Sequence, residues 1–174
     1  DRVDVNDTSI YIEVSMNPIV VDGEVVGASL YGKDITENKT AQLRLHYLSD
    51  MRKLLIDLSI GFINLPLDQI EEAVNRSLIR IGEFVGADRA YVFEYDFENN
   101  TGTNTFEWCR EGILSQLERL RFFPLEGFEP WVMKHKNGET VKVDDVNSLT
   151  DEVLRDFLRE QDTISVLTLP FMED

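Results

Sequence analysis

Polar and apolar residues alternate at the start of the chain. Ile10, Ile12, Val14 and Met16 interleave with Tyr11, Glu13, Ser15 and Asn17, the period of two that marks a half-buried strand. Asp22-Gly23 follows, a dipeptide suited to the positive φ angles of a tight hairpin turn. Alternation resumes over Val25–Tyr31, with Val26, Ala28 and Leu30 on one face. Two strands alone are marginal in water, so this hairpin calls for more sheet.

The period then becomes helical. Thr36 is placed to cap a helix that runs to about Ser59 without Gly or Pro. Ala41, Leu45, Leu48, Leu55 and Phe62 form one stripe, with Arg52 and Ser59 completing the spacing. Tyr47, Met51, Leu54 and Leu58 form a second, rotated around the helix. A packed face covers only about a third of a helix's circumference, so two stripes predict two neighbours. Leu45, Leu48 and Leu55 are spaced as a coiled-coil seam, which predicts a parallel homodimer; Met51, Leu54 and Leu58 are then left to cover the domain that follows.

Pro66 punctuates the chain, and Asp68 with Glu71 has the spacing of a capping box. The next helix carries Ile70, Val74, Leu78, Ile81 and Val85 on one face and stops at Gly86. Ala87–Tyr95 and Thr103–Cys109 read as strands joined by the turn Asn99-Asn100-Thr101-Gly102. Ile113–Arg121 reads as a short amphipathic helix, and Pro130–Lys136 as another, ended by Asn137-Gly138. Thr140–Val143 is a short strand, Thr150 caps a helix to about Gln161, and Ile164–Phe171 is a final strand. The expected class is α+β: a largely antiparallel sheet with helices on one side, preceded by a β-hairpin and a long amphipathic helix.

Composition narrows the function. Of 174 residues, 17 are basic and 33 acidic, a net charge of −16, which repels nucleic-acid phosphates and anionic lipid. Neither a nucleic-acid partner nor direct membrane contact is expected. The single cysteine excludes an intrachain disulfide framework and any multi-cysteine zinc site, and fits the reducing cytoplasm. The longest uncharged stretches, Leu58–Leu67 and Thr163–Met172, are shorter than the ~18 apolar residues that span a bilayer. The chain opens Asp-Arg-Val-Asp, with no initiator Met and no signal-peptide pattern, the mark of a piece of a longer protein.

Two families are resembled. The segment YIEVSMNPIVVDGEVVGASLYGKDITENK is similar to the last two strands of a PAS domain, and Asp34-Ile35-Thr36 resembles the DIT triplet that hands over from PAS to a signalling helix. IEEAVNRSLIRIGEFVGADRAYVFEYD, NTFEWCREGI and GETVKVDDVNSLTDEVLRDFLREQDTISVLTLPF resemble successive parts of a GAF domain. The resemblance implies a PAS end over 1–35, a linker helix over 36–59 and a GAF domain over 60–174 that lacks its last strands. It further implies the cytoplasmic sensory region of a signalling protein, whose output is a histidine kinase or, as the alternative, a diguanylate cyclase.

His46 lacks the acidic neighbour and the Pro of a phosphoacceptor histidine, so a solvated helix histidine is the default. His135 is a possible haem ligand, but Lys134 and Lys136 beside it suggest a solvated face. Cys109 is a possible attachment point for a linear tetrapyrrole, yet Arg110 follows it where such sites have a His, and a half-buried strand thiol is the simpler reading. Asp144-Asp145 lacks the spacing of a calcium loop, and Asn147–Asp151 reads as a loop and helix cap. No nucleophile–base pair, metal cluster or phosphate loop is found, so no enzyme activity, cofactor or metal is expected of these residues. The aromatics Phe93, Tyr95, Phe106, Trp108, Phe122, Phe123, Phe128 and Trp131 are expected to form core, or else to line a small-molecule pocket with Trp108, Cys109, Trp131 and Met133 nearest the ligand. A ligand-free dimerisation module is the remaining reading.

Overall fold

The computed structural model describes residues 2–5 and 8–171, with side chains described from Ile10 onward. Asp1, Asn6, Asp7 and residues 172–174, which the reading above places in the PAS-like and GAF-like segments, lie outside the described residues. The chain divides into two units, Asp1–Ile63 and Asn64–Asp174.

In the first unit, β1 (Arg2–Val5), β2 (Thr8–Val21) and β3 (Glu24–Asp34) form an antiparallel sheet in sequence order. Asp22 and Gly23 turn the β2–β3 hairpin with φ of 52° and 85°, as the dipeptide predicts. Both strands run longer than the alternation suggested, because ladder pairing extends to Val21↔Glu24 and Ile12↔Asp34. Val14, Met16, Val20, Val26, Leu30 and Tyr31 are exposed, so apolar side chains stand on both faces.

Helix α1 spans Thr36–Phe62, nearly a turn beyond the expected end at Ser59, since nothing at Ser59 stops it: its hydroxyl donates back to the Leu55 carbonyl. Thr36 is not the cap. It is the first helical residue, and its hydroxyl accepts from the Tyr11 amide at 3.0 Å, tying the helix start to β2. The Asp34 carboxylate instead accepts from the Thr36 amide at 2.8 Å; hydrogen bonding to the Thr36 hydroxyl and then to this amide holds that carboxyl below its usual pKa. The DIT triplet thus has a mechanical content: Asp34 ends β3 and Thr36 clips the helix start to β2.

In the second unit, a 3₁₀ turn at Leu67–Gln69 precedes α2 (Ile70–Val85). Asp68 makes no cap here, because that turn moves the helix start to Ile70. Gly86 ends α2 in the left-handed conformation, φ 71° and ψ 28°, as its position predicts. Strands β4 (Arg89–Asp96), β5 (Thr101–Cys109) and β6 (Phe123–Pro124) form one antiparallel sheet in that order. Strands β7 (Val141–Val143) and β8 (Val166–Thr168) form a second. In the chain, α3 (Glu129–Lys136) precedes β7 and α4 (Glu152–Arg159) connects β7 to β8. The final strand is confined to Val166–Thr168, the length of its ladder with β7.

A bulge in β5 decides which way the aromatics face. Tyr95 pairs with Gly102 and Phe93 with Asn104, but Val92 pairs with Phe106, so one extra residue, Thr105, enters the ladder. Asn104 therefore shares the face of Phe93, while Phe106 and Trp108 turn to the other. Asn104 is buried, and its amide, oriented to donate, reaches the Val92 and Phe106 carbonyls at 3.2 and 3.0 Å, satisfying the groups that the bulge unpairs. Trp108 lies against Gly82 of α2, and Phe123 lies against Phe157 of α4. Helices thus cover both faces of this sheet, not one.

Ile113–Arg121 is not a helix. The Glu107 carboxylate accepts from the amides of Gln116 and Leu117, each at 2.8 Å, and from the Ser115 hydroxyl. That gathers the segment into turns and drives Leu120 into the core, where its carbonyl accepts from the Asn104 amide. Helix α4 is capped by Asp151, not Thr150: the Asp151 carboxylate accepts from the Leu154 amide at 3.1 Å. At its other end, Arg89 donates to the Gln161 carbonyl at 2.6 Å and Arg119 to the Glu160 carbonyl at 3.0 Å, with an Arg119–Glu160 ion pair beside them. Two guanidinium groups so occupy the negative end of the helix. Val141, Val143, Val146 and Leu158 form the core below, with Val146 fully enclosed. No helix among the described residues is long and apolar enough to cross a membrane.

Candidate functional site

Aromatic side chains dominate one region of the second unit. Phe123 contacts Phe93, Phe128 and Phe157 with ring centroids 5.4 to 5.9 Å apart, and Phe128 meets Phe157 edge-on at 4.7 Å. Phe123 can lie flat over β5 because its ladder partner is Gly102; a Cβ at that position would come within 2.4 Å of the ring. Tyr91 joins the cluster through Phe93.

This cluster floors a cavity of about 710 Å³, within the range of small-molecule sites. Tyr95, Trp131, His135, Leu154 and Thr168 also line it. The Tyr95 hydroxyl and His135 Nδ1 share a 2.9 Å hydrogen bond, and His135 Nε2 and the Thr168 hydroxyl share one of 2.8 Å. Thr168 in turn faces the Val141 carbonyl at 3.5 Å. If the Thr168 proton goes to Val141, Nε2 carries the imidazole proton and Tyr95 donates to Nδ1, a neutral chain from β4 through α3 to the β7–β8 sheet. Burial pushes the Tyr95 hydroxyl up to about 12 and lowers the imidazole of His135, so both stay uncharged near neutral pH.

His135 is therefore not on a solvated face; it is 8% exposed. Its flanking lysines stay exposed while it is buried, because neighbours along a helix diverge by about 100°. Lys136 instead sits over the Phe97 ring at 3.9 Å. A pH dependence follows. The folded-state pKa of His135 is below 6.5, so the unfolded chain binds the proton first on acidification. Its contribution to stability is complete above pH 6.5 and is lost as pH falls from there through the folded value. We expect NMR titration of the imidazole to give a midpoint below 6.5; a midpoint at or above 6.5 contradicts this site.

Of the four residues proposed to meet a ligand, Trp131 lines the cavity and Trp108, Cys109 and Met133 are not among its lining residues. Trp108 is turned to the α2 face by the bulge, and Met133 is exposed. Cys109 is half-buried at the end of β5, where burial and then the Glu107 carboxylate raise its thiol pKa and keep it protonated. Phe157, His135 and Thr168 were not assigned to the site from sequence; the helical spacing of Phe157 with Leu154 and Leu158 was its one visible signal. His46 is exposed and lies 3.7 Å from Asp50. No grouping of His, Cys, Asp and Glu suited to a metal occurs among the described residues.

The arrangement of these elements has counterparts among solved structures. A phycocyanobilin-bound GAF domain from a cyanobacterial phytochrome is similar at a TM-score of 0.55 and 16% identity, over 72% of this chain and 72% of that one. A phycoerythrobilin-bound GAF domain from a cyanobacterial phytochrome is similar at 0.54 and 14% identity, over 72% and 73%. The fold is GAF-like. No family model and no curated protein matches the chain. At such identity the likeness extends to the GAF-like architecture alone, a mixed α+β unit with antiparallel sheets and helices packed on them.

Proposed function

We propose that the chain is the sensory and relay part of a prokaryotic signal-transduction protein. In this reading residues 1–35 close a PAS domain, α1 is a signalling helix that pairs with its counterpart in a parallel homodimer, and the GAF-like unit reads a ligand or partner. The cavity is the observation that carries the reading: it joins an aromatic floor to a neutral polar chain in a GAF-like fold, and its walls come from β4, α3, α4 and β8. Occupancy can then bias the packing of elements drawn from two sheets. The chain itself is a non-catalytic cytoplasmic relay, and the output is a histidine kinase in first place and a diguanylate cyclase in second.

The test is a fusion of this chain to the output half of a dimeric histidine kinase. Autophosphorylation is compared between the native cavity and cavities filled by Val132→Phe or, separately, Leu154→Phe. A several-fold change in rate with either folded variant is expected. Unchanged rates in both overturn the sensory reading.

The bilins of the two similar GAF domains bear on the ligand. Attachment through Cys109 is disfavoured by its place outside the cavity lining and by its protonated thiol. Incubated with phycocyanobilin and separated under denaturing conditions, the chain is expected to show no covalent mass increment; an increment abolished by Cys109→Ala would reverse this assignment.

A further inference from the structure

Tyr91, Phe93 and Tyr95 share one face of β4, the face toward α3 and α4: Tyr95 meets His135 of α3, and Phe93 reaches Phe157 of α4 through Phe123. All three line the cavity. The two phenols differ in one respect. The Tyr95 hydroxyl is committed to His135. The Tyr91 hydroxyl has no hydrogen-bond partner among the described residues; burial raises its pKa, with the Arg89 guanidinium opposing and the Glu107 carboxylate adding. Nor is it sealed in the core, where Arg89 Nε is the enclosed side-chain atom that lacks a partner among the described residues. The Tyr91 hydroxyl therefore opens on the cavity that its residue lines, and leaving it there without a partner is unfavourable.

The surroundings select that partner. Glu94 and Lys136 are the charged residues of the lining; both are exposed and their signs oppose. Tyr91, Tyr95 and His135 are all held in their uncharged forms. An ionised ligand would thus be enclosed without a counter-charge, which is strongly unfavourable, and the net charge of −16 repels anions further. A phenol donates a hydrogen bond more strongly than it accepts one, so the complement of Tyr91 is an acceptor such as a carbonyl oxygen. Phe93, Phe123, Phe128 and Phe157 pack edge to face and tilted, and offer ring surface to a flat apolar body. Tyr91 and Tyr95 stand four residues apart on β4, about 13 Å, length for two fused rings ending in a carbonyl.

We propose that the cavity takes an uncharged, flat aromatic compound bearing a carbonyl group, and that Tyr91 selects it by donating the phenol hydrogen bond to that oxygen. The proposal rests on the sensory reading for the purpose of the cavity and adds the chemical class of its ligand. The aromatic floor holds the rings whatever group they carry; Tyr91 sets the preference for the oxygen, and the neutral lining sets the preference against ions.

Four matched probes test it by equilibrium dialysis near neutral pH: 2-acetylnaphthalene, 2-ethylnaphthalene, which lacks the oxygen, and the charged 2-naphthoate and 2-naphthyltrimethylammonium. The acetyl compound is expected to bind about tenfold more tightly than each of the others, the worth of one hydrogen bond. Tyr91→Phe, which removes the hydroxyl and keeps the ring, is expected to weaken the acetyl compound by the same factor and to leave the ethyl compound unchanged, which also reports an intact fold. Equal binding of the acetyl and ethyl compounds, or an acetyl affinity unmoved by Tyr91→Phe, overturns the role of Tyr91. Either ion binding as tightly as the acetyl compound overturns the uncharged class, and no binding of any probe overturns the whole proposal. The ranking is expected to hold in a longer natural protein that contains this chain; its loss there would show the cavity filled from within and overturns the proposal too. Selective binding through Tyr91 with an unresponsive kinase fusion sinks the sensory reading and leaves the ligand site standing; a responsive fusion without that selectivity does the reverse.

Discussion

In sedimentation, the native chain is expected to run as a dimer and Leu48→Glu as a monomer. The proposed seam of α1 places Leu45 and Leu55 with Leu48 at 3- and 7-residue intervals, and in the single chain they are 69%, 55% and 43% exposed. No residue of α1 is fully buried. A helix of 27 residues is about 40 Å long, and a helix in water draws most of its stability from packing of an apolar face, so a partner along its length is expected. Burying a carboxylate without a counter-ion costs several kcal/mol, which corresponds to a dimer constant weakened at least a hundredfold. Arg52, at a seam position, is tolerated because its stem packs and its head reaches solvent. Fold integrity of the variant is checked by circular dichroism, since Leu48 supports little within one chain. A monomeric native chain, or a dimer unaffected by the substitution, would show that α1 does not form the interface.

Gly82→Ala is expected to destabilise the second unit by about 1–2 kcal/mol, although Gly is the poorer helix residue. Removing Gly from a helix interior is worth about 1 kcal/mol. Against this, a Cβ at Gly82 would meet the Trp108 ring at 2.1 and 2.4 Å, and the ring is fixed by its place on β5. Overpacking of this kind costs about 1–3 kcal/mol, and more where the neighbour cannot move. The decisive measurement is a double-mutant cycle in urea. In a Trp108→Leu background the obstructing ring is gone, so Gly82→Ala should change sign and stabilise by up to about 1 kcal/mol. The same sign in both backgrounds would mean that the contact with Trp108 is not what requires Gly82.

Local rules made much of the fold legible. Asp22-Gly23 announced a hairpin and Gly86 a helix end, because each reports a backbone conformation that other residues adopt at a cost. The failures share a different cause: long-range partners. The segment after Ile113 has helical spacing, but Glu107, on a strand beyond the reach of any local rule, takes its first amides. Thr150 and Asp151 are both acceptable caps, and only the path of the chain selects the second. Phe123–Pro124 is too short a strand to show a period at all. The site suffered most from one residue, Thr105. Counting outward from the turn places Trp108 on the face of Phe93 and Tyr95, but the bulge reverses β5 midway and sends Trp108 to α2. His135 was hidden by its lysines, whose sequence proximity says nothing about the direction in which a helix side chain points.

The two arginines at the end of α4 constrain how this protein can change over evolutionary time. Arg89 and Arg119 come from separate parts of the chain, yet they reach carbonyls of adjacent residues, Gln161 and Glu160. Losing or gaining one residue in α4 rotates that end by about 100° and shifts it by about 1.5 Å, which takes both acceptors away from both donors together. Indels should therefore be purged from Glu152–Arg159 in descendants of this sequence. They should collect instead at Glu98 and Asn99, whose backbone amides are both held by the nearby Asp96 carboxylate.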